Sequence, residues 1–267
     1  MQFARLNGVV LHHQVIPAAP GKPRMVFANS LGSDFRIWRD VVVRLAGEAS
    51  ILLYDMRGHG LSETGDTPYT IETLGADLAA LIEHTGFGPA IICGSSAGGL
   101  AAQALYAARP ELVEALVLVG IAHKVGTHQS WSERISAVSA GGIASVVDKV
   151  LAGWFTAEFH KDAATVAGYR TMITRQAVEG YLATVAAIRD ADFTGLAPRI
   201  RVPVICVAGE SDPTCPPQMI ADFARMIPGA RYELMRPAGH LPFIEQPAMM
   251  AEIVRAAADL AGARHAA

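Results

Sequence analysis

Five short apolar runs constrain this chain more than any other feature, because each is followed by Gly, Ser or Asp and then by a helical pattern. They are Met25-Val-Phe-Ala, Ile51-Leu-Leu-Tyr, Ala90-Ile-Ile-Cys, Ala115-Leu-Val-Leu-Val and Val204-Ile-Cys-Val-Ala. A strand with one wet face alternates apolar and polar residues. Unbroken apolar runs of this length suit strands buried on both faces, as in a parallel sheet covered by helices. Upstream, Asn7-Gly8 stands between two alternating segments, the strongest short-range hairpin signal. An antiparallel hairpin therefore opens an otherwise parallel sheet.

Between about 123 and 193 the rhythm changes. Amphipathic helices are expected over 131–138, 143–152, 162–173 and 175–188, with no strand-like run among them. Strand–helix alternation resumes at Val202. The flanks lack the Pro/Gly/Ser-rich linker of a separate domain. Residues 1–122 and 194–267 are accordingly read as one α/β core, and 123–193 as a helical lid inserted over its sheet.

Composition narrows the function. Of 267 residues, 51% are hydrophobic and 18% charged, so the chain can bury a sizeable core and disorder is not expected. A formal net charge of −3 and the lack of any Lys/Arg cluster argue against a nucleic-acid partner. No apolar run approaches the roughly 18 residues that span a bilayer, so no membrane partner is expected. The opening MQFARLNGVV lacks the basic start, apolar middle and cleavage site of a signal peptide, and the expected location is the cytoplasm. The three cysteines (Cys93, Cys206 and Cys215) show no metal-ligand spacing. Cys93 and Cys206 lie inside strand-like runs as small hydrophobes.

Chemistry enters after the third run. Gly94-Ser95-Ser96-Ala97-Gly98 is a G-x-S-x-G element with a strand before it and the helical Leu100-Ala-Ala-Gln-Ala-Leu-Tyr after it. A sharp, strained turn lifts the Ser96 hydroxyl above the sheet, and the flanking glycines let strand and helix approach without Cβ clashes. The Ala97 N–H, at the helix N-terminus, is placed to stabilise an oxyanion. The alternative is an ordinary Gly/Ser turn, which the flanking strand and helix make the weaker reading.

A serine hydroxyl is a poor nucleophile until an oriented base takes its proton. In the fold that carries this elbow the partners follow in the order Ser, Asp/Glu, His. Asp212, in Gly209-Glu210-Ser211-Asp212-Pro213 after the strand beginning at Val204, is the expected orienter, with Glu210 its competitor. His240, in Pro237-Ala238-Gly239-His240-Leu241-Pro242, follows the next strand-like run and is the expected base. Of the nine histidines, His12, His13, His84, His160 and His265 lack supporting context. His59, in Arg57-Gly58-His59-Gly60, reads as architectural, and His123 and His128 open the lid. The second oxyanion donor is expected in Asn29-Ser30-Leu31-Gly32-Ser33-Asp34 after the first run, at Leu31 N–H. The fold class is thus an α/β-hydrolase fold.

Taken together, Asn29-Ser30-Leu31-Gly32, Asp55-Met-Arg57-Gly58-His59-Gly60-Leu-Ser62, the serine elbow and Gly239-His240-Leu-Pro resemble the 3-oxoadipate enol-lactonases. The lid adds to the resemblance through Gly126-Thr-His-Gln-Ser-Trp131-Ser-Glu-Arg134-Ile, Gly153-Trp154-Phe155-Thr156, and Glu179-Gly180-Tyr181 through Ala187-Ile-Arg189-Asp-Ala-Asp192. The resemblance implies hydrolysis of 3-oxoadipate enol-lactone to 3-oxoadipate in bacterial breakdown of aromatic compounds, without metal or organic cofactor. The partner it implies is a small molecule bearing a carboxylate. Arg134 is the first choice to hold that carboxylate, against the alternative of a solvated helix-surface arginine. Trp131 and Trp154 are candidates for the pocket walls, against simple packing of the lid.

One departure stands out. The family places a bulky residue before the nucleophile and Met or Ile after it, where this chain has Ser95 and Ala97. Smaller side chains there re-shape the pocket beside the oxyanion hole. The same scaffold also hosts carboxylesterases, perhydrolases and C–C hydrolases, and a non-catalytic ligand-binding protein is a further alternative. Haloalkane dehalogenases are disfavoured, since their nucleophile is an Asp where Ser96 stands.

Overall fold

A computed structural model describes residues 1–266, with side chains through Arg264. Its strands are β1 (Gln2–Leu6), β2 (Val9–Ile16), β3 (Arg24–Ala28), β4 (Ser50–Tyr54), β5 (Ala90–Ser95), β6 (Val113–Val119), β7 (Val204–Gly209) and β8 (Arg231–Met235). They form one eight-stranded sheet in the order β1-β2-β4-β3-β5-β6-β7-β8. Asn7 and Gly8, at φ 47° and 80°, close the β1–β2 hairpin. The far edge of β2 pairs antiparallel with β4, and every pairing from β4 to β8 is parallel. This is the mostly parallel sheet, opened by an antiparallel hairpin, that the apolar runs and Asn7-Gly8 imply.

Burial explains those runs. Every residue of β5 and β7 is buried, and Glu114 alone interrupts the burial of β6. The helices of the core are α1 (Arg39–Leu45), α2 (Ile71–His84) and α3 (Ala97–Ala108), followed after the lid by α8 (Pro217–Met226), α9 (Pro242–Glu245) and α10 (Pro247–Ala266). Helix α3 packs on β3, β5 and β6 with α2 against it, while α10 packs on β5, β6 and β7 with α1 against it. Trp38 stacks on Phe243 with ring centroids 3.8 Å apart, joining the segment after β3 to α9. Such a pair adds about 0.5–1.5 kcal/mol beyond its area burial. It fixes α9, and with it the loop just upstream.

Between β6 and β7 lie α4 (His128–Gly141), α5 (Val147–Trp154), α6 (Ala163–Thr174) and α7 (Val178–Asp190). Helix α4 starts earlier than the apolar pattern because Thr127 and Ser130 form a reciprocal capping box. Residues 143–145 form a 3-10 turn rather than the start of α5. Helix α7 begins at Val178, not 175, because the preceding corner is used otherwise. There the Gln176 carbonyl accepts from Gly60 N–H (2.8 Å) and its amide donates to the Met172 carbonyl (2.9 Å). This helical segment docks beside the strands where Gly180 meets Gly58, since a Cβ on either would collide with the other's backbone. Tyr69 Oη donates to the Gly180 carbonyl beside it (2.8 Å).

Candidate active site

Ser96 sits between β5 and α3 at φ 51° and ψ −116°, a strained conformation for a residue with a Cβ. The surroundings impose it. Ser96 N–H donates to the Val119 carbonyl at the end of β6 (2.9 Å), and its carbonyl accepts from Gly99 and Leu100 N–H (2.9 and 3.1 Å). Gly98 N–H donates to the Asn29 carbonyl (2.9 Å), so α3 begins hard against the loop after β3. A side chain at 98 would run into the Ala28 carbonyl, which is why that elbow position takes Gly.

That contact places the two expected oxyanion donors on adjoining segments. Among the described residues neither Leu31 N–H nor Ala97 N–H donates to a main-chain carbonyl. Ala97 is the first residue of α3, where a helix has no internal partner for its N–H. Asn29 Nδ2, bonded to the Tyr54 carbonyl (2.7 Å), anchors the Leu31 loop from below.

Asp212 and His240 follow the carboxyl ends of β7 and β8, which are parallel neighbours. His240 Nδ1 lies 2.7 Å from Asp212 Oδ2, and each residue is only 3% exposed. The other oxygen, Asp212 Oδ1, accepts from Thr214 and Cys215 N–H (2.8 and 3.0 Å). Asp212 is thereby fixed as an acceptor, and the Nδ1–H tautomer it selects leaves Nε2 as the unprotonated ring nitrogen. Glu210, the competitor, instead pairs with Arg236 at the surface (3.1 Å). The His240 ring lies against Gly120, where a Cβ would fall 3.2 Å from Cε1 and from Nδ1. Gly120 follows Val119, the residue that holds Ser96 N–H, so Ser96 and His240 converge on the end of β6. Among the described residues no hydrogen bond joins Ser96 Oγ to His240, a contact that commonly tightens only when substrate binds.

Asp212, Cys215 and His240 also bring three potential metal-ligating atoms within 4.8 Å of one another. Burial and the neighbouring Asp212 hold the Cys215 thiol well above its ordinary pKa. With both Asp212 oxygens already accepting hydrogen bonds, the cluster suits an oriented imidazole better than a metal.

Lid residues complete the surroundings. The Trp131 indole N–H donates to the Val125 carbonyl (2.7 Å), leaving only its ring faces to offer. Over that ring, 5.5 Å from its centroid, sits the half-buried Arg134 guanidinium, which has no ion-pair partner among the described residues. Trp154 is buried and edge-on to Phe155. Its main chain meets the His240 loop: Leu241 N–H donates to the Trp154 carbonyl (3.2 Å), and His240 N–H to that of Gly153 (3.1 Å).

Two arrangements escape sequence reading. Glu245, on α9, accepts from Gly239 N–H (2.6 Å) with one oxygen, and from Thr156 N–H (3.1 Å) and Thr156 Oγ1 (2.5 Å) with the other. It ties the His240 loop to the segment after α5. His12, without context in the sequence, forms a buried pair with Asp55 (Nδ1 to Oδ2, 2.8 Å). Asp55 also accepts from Phe35 and Leu61 N–H, so this second His–Asp pair braces the segment after β3. His12 and Asp55 line a cavity of about 520 Å³ beneath the end of α6, and neither Ser96 nor His240 lines it. His59 is buried, as its tight turn suggested, with Nδ1 3.2 Å from the Arg57 carbonyl. The side chain of His265 lies outside the described residues.

Residues 23–247 match the family model described as the alpha/beta hydrolase fold. The chain belongs to the α/β-hydrolase family. Within it, the chain is 31% identical over 230 residues to 3-oxoadipate enol-lactonase 2 of Acinetobacter baylyi, covering 85% of each chain. It is 29% identical to 3-oxoadipate enol-lactonase 1 of the same organism, again covering 86% of each. Its fold superposes on the crystal structure of the enol-lactonase from Burkholderia xenovorans LB400 with a TM-score of 0.92 and 32% identity, covering 97% of this chain and all of that one. The resemblance read from the elbow and lid motifs therefore holds in sequence and in fold. These likenesses mark the chain as an α/β-family hydrolase related to lactonases. No helix among the described residues is long and apolar enough to cross a membrane.

Proposed function

We propose that this hydrolase is a serine-dependent enol-lactonase that opens 3-oxoadipate enol-lactone to 3-oxoadipate. The observation that carries the reading is the buried Asp212–His240 pair converging with the strained Ser96 elbow on the end of β6, in a chain similar to enol-lactonases over most of its length.

Ser96 Oγ attacks the lactone carbonyl while His240 Nε2 takes its proton. Asp212 holds the imidazole and stabilises the imidazolium that forms. The carbonyl oxygen becomes an oxyanion held by Leu31 and Ala97 N–H. Collapse of the tetrahedral intermediate breaks the ring C–O bond and expels an enolate, to whose carbon the proton taken from Ser96 is passed, giving the ketone and returning His240 to its neutral form. An enolate leaves more readily than an alkoxide, so His240 supplies less general-acid help than an ordinary ester demands. Water deprotonated by His240 then attacks the acyl-enzyme, releasing the second carboxylate and regenerating Ser96. The reading calls for no metal or organic cofactor. It places the reaction in the cytoplasmic β-ketoadipate route of aromatic breakdown.

The test is Ser96→Ala assayed on an activated ester and on the lactone. A loss of kcat of about 10⁴-fold or more on both is expected for removal of a nucleophile. Retained turnover would show that another group attacks.

A further inference from the structure

Tyr181, on α7, is 1% exposed, and its hydroxyl has no hydrogen-bond partner. A buried unpaired hydroxyl is costly, and native structures leave few of them. Its position is informative. The Tyr181 ring lies over the oxyanion loop, where a Cβ on Gly32 would fall 3.2 Å from Tyr181 Cε2, and Gly32 directly follows Leu31. Helix α4, which bears Arg134, packs against α7. Burial raises the Tyr181 pKa, and the Arg134 guanidinium is the charge that opposes this, so the two groups share one electrostatic environment. Arg134 is itself half-buried with no ion-pair partner among the described residues. An O–H donor without an acceptor, set over the loop that carries Leu31, and a guanidinium without an ion-pair partner among the described residues thus stand on two helices, α7 and α4, that pack against each other. Tyr54, whose hydroxyl is also unpaired, has Asp77 as its charged neighbour, a setting that repels an anion.

We propose that Tyr181 Oη and Arg134 together bind the free carboxylate of the substrate, with Tyr181 donating one hydrogen bond, which makes Tyr181 a specificity-determining residue. The inference rests on the enol-lactonase reading and deepens it. A hydroxyl fixed in the lid measures the reach from scissile carbonyl to carboxylate. It selects acids of that length over neutral esters.

Tyr181→Phe removes the donor and keeps the ring on Gly32, so the fold is retained. The expected result is a KM for 3-oxoadipate enol-lactone raised about 10-fold, with kcat within about twofold of wild type. For p-nitrophenyl acetate, which carries no free carboxylate, kcat/KM should stay within about twofold. An unchanged KM for the lactone, or equal losses on both substrates, would overturn the proposal. If the wild type does not turn over the lactone, the enol-lactonase reading itself falls. The carboxylate site is then tested by adipate as a competitive inhibitor of p-nitrophenyl acetate hydrolysis. An inhibition constant at least about fivefold weaker in Tyr181→Phe supports the site, and a smaller change or no inhibition of either form overturns it.

Discussion

His59 carries the clearest pH signature outside the active site. Burial lowers its pKa from 6.5 to about 4. The unfolded chain therefore takes up this proton first, and between about pH 6.5 and 4 it binds more protons than the folded chain. The stability linked to His59 is fully present above that window and is lost as pH falls through it. Urea unfolding from pH 7 to pH 5 should show about 2 kcal/mol of stability lost through this group. His59→Gln should flatten the slope by that amount, and an unchanged slope would contradict the assignment. The sequence marks His59 as architectural because it sits in a Gly-flanked turn. It gives no such mark to His12, because the pair with Asp55 depends on how β2 registers against β4. That register is invisible along one strand. Asp212 and His240 are readable as partners because each follows the carboxyl end of a strand, and parallel neighbours bring those ends together.

The helical segment between β6 and β7 is tied to the loop that carries His240. Hydrogen bonds run from His240 and Leu241 to the end of α5, and Glu245 clamps Gly239 to Thr156. On the proposed mechanism Glu245 is a positioning residue, acting through the loop that carries His240. Glu245→Ala should lower kcat for the lactone by about 10- to 100-fold with little change in KM, since small misplacements of an aligned group slow the reaction strongly. Glu245→Gln, which keeps one carbonyl acceptor, should recover part of the loss. Equal kcat in all three forms, measured by steady-state kinetics, would contradict the role. The sequence announces the lid as four helical patterns without a strand. Their starts shift where side chains decide, at the Thr127 cap and at the Gln176 corner. Glu245 leaves no local trace because Thr156 lies 89 residues away.

Across the molecule, the parallel sheet was legible because strands buried on both faces must be apolar throughout, and the helical segment between β6 and β7 because it lacks such runs. Pocket size was less legible. Ser95 and Ala97 are both fully buried beside the nucleophile, so their small side chains act through packing that local sequence does not reveal. Substrate choice is decided by hydrolysis of freshly generated 3-oxoadipate enol-lactone beside a short p-nitrophenyl ester. A kcat/KM for the lactone higher by about 100-fold or more is expected, a transition-state preference of about 2.7 kcal/mol. An ester turned over equally well or better would leave a serine hydrolase but contradict the enol-lactonase reading.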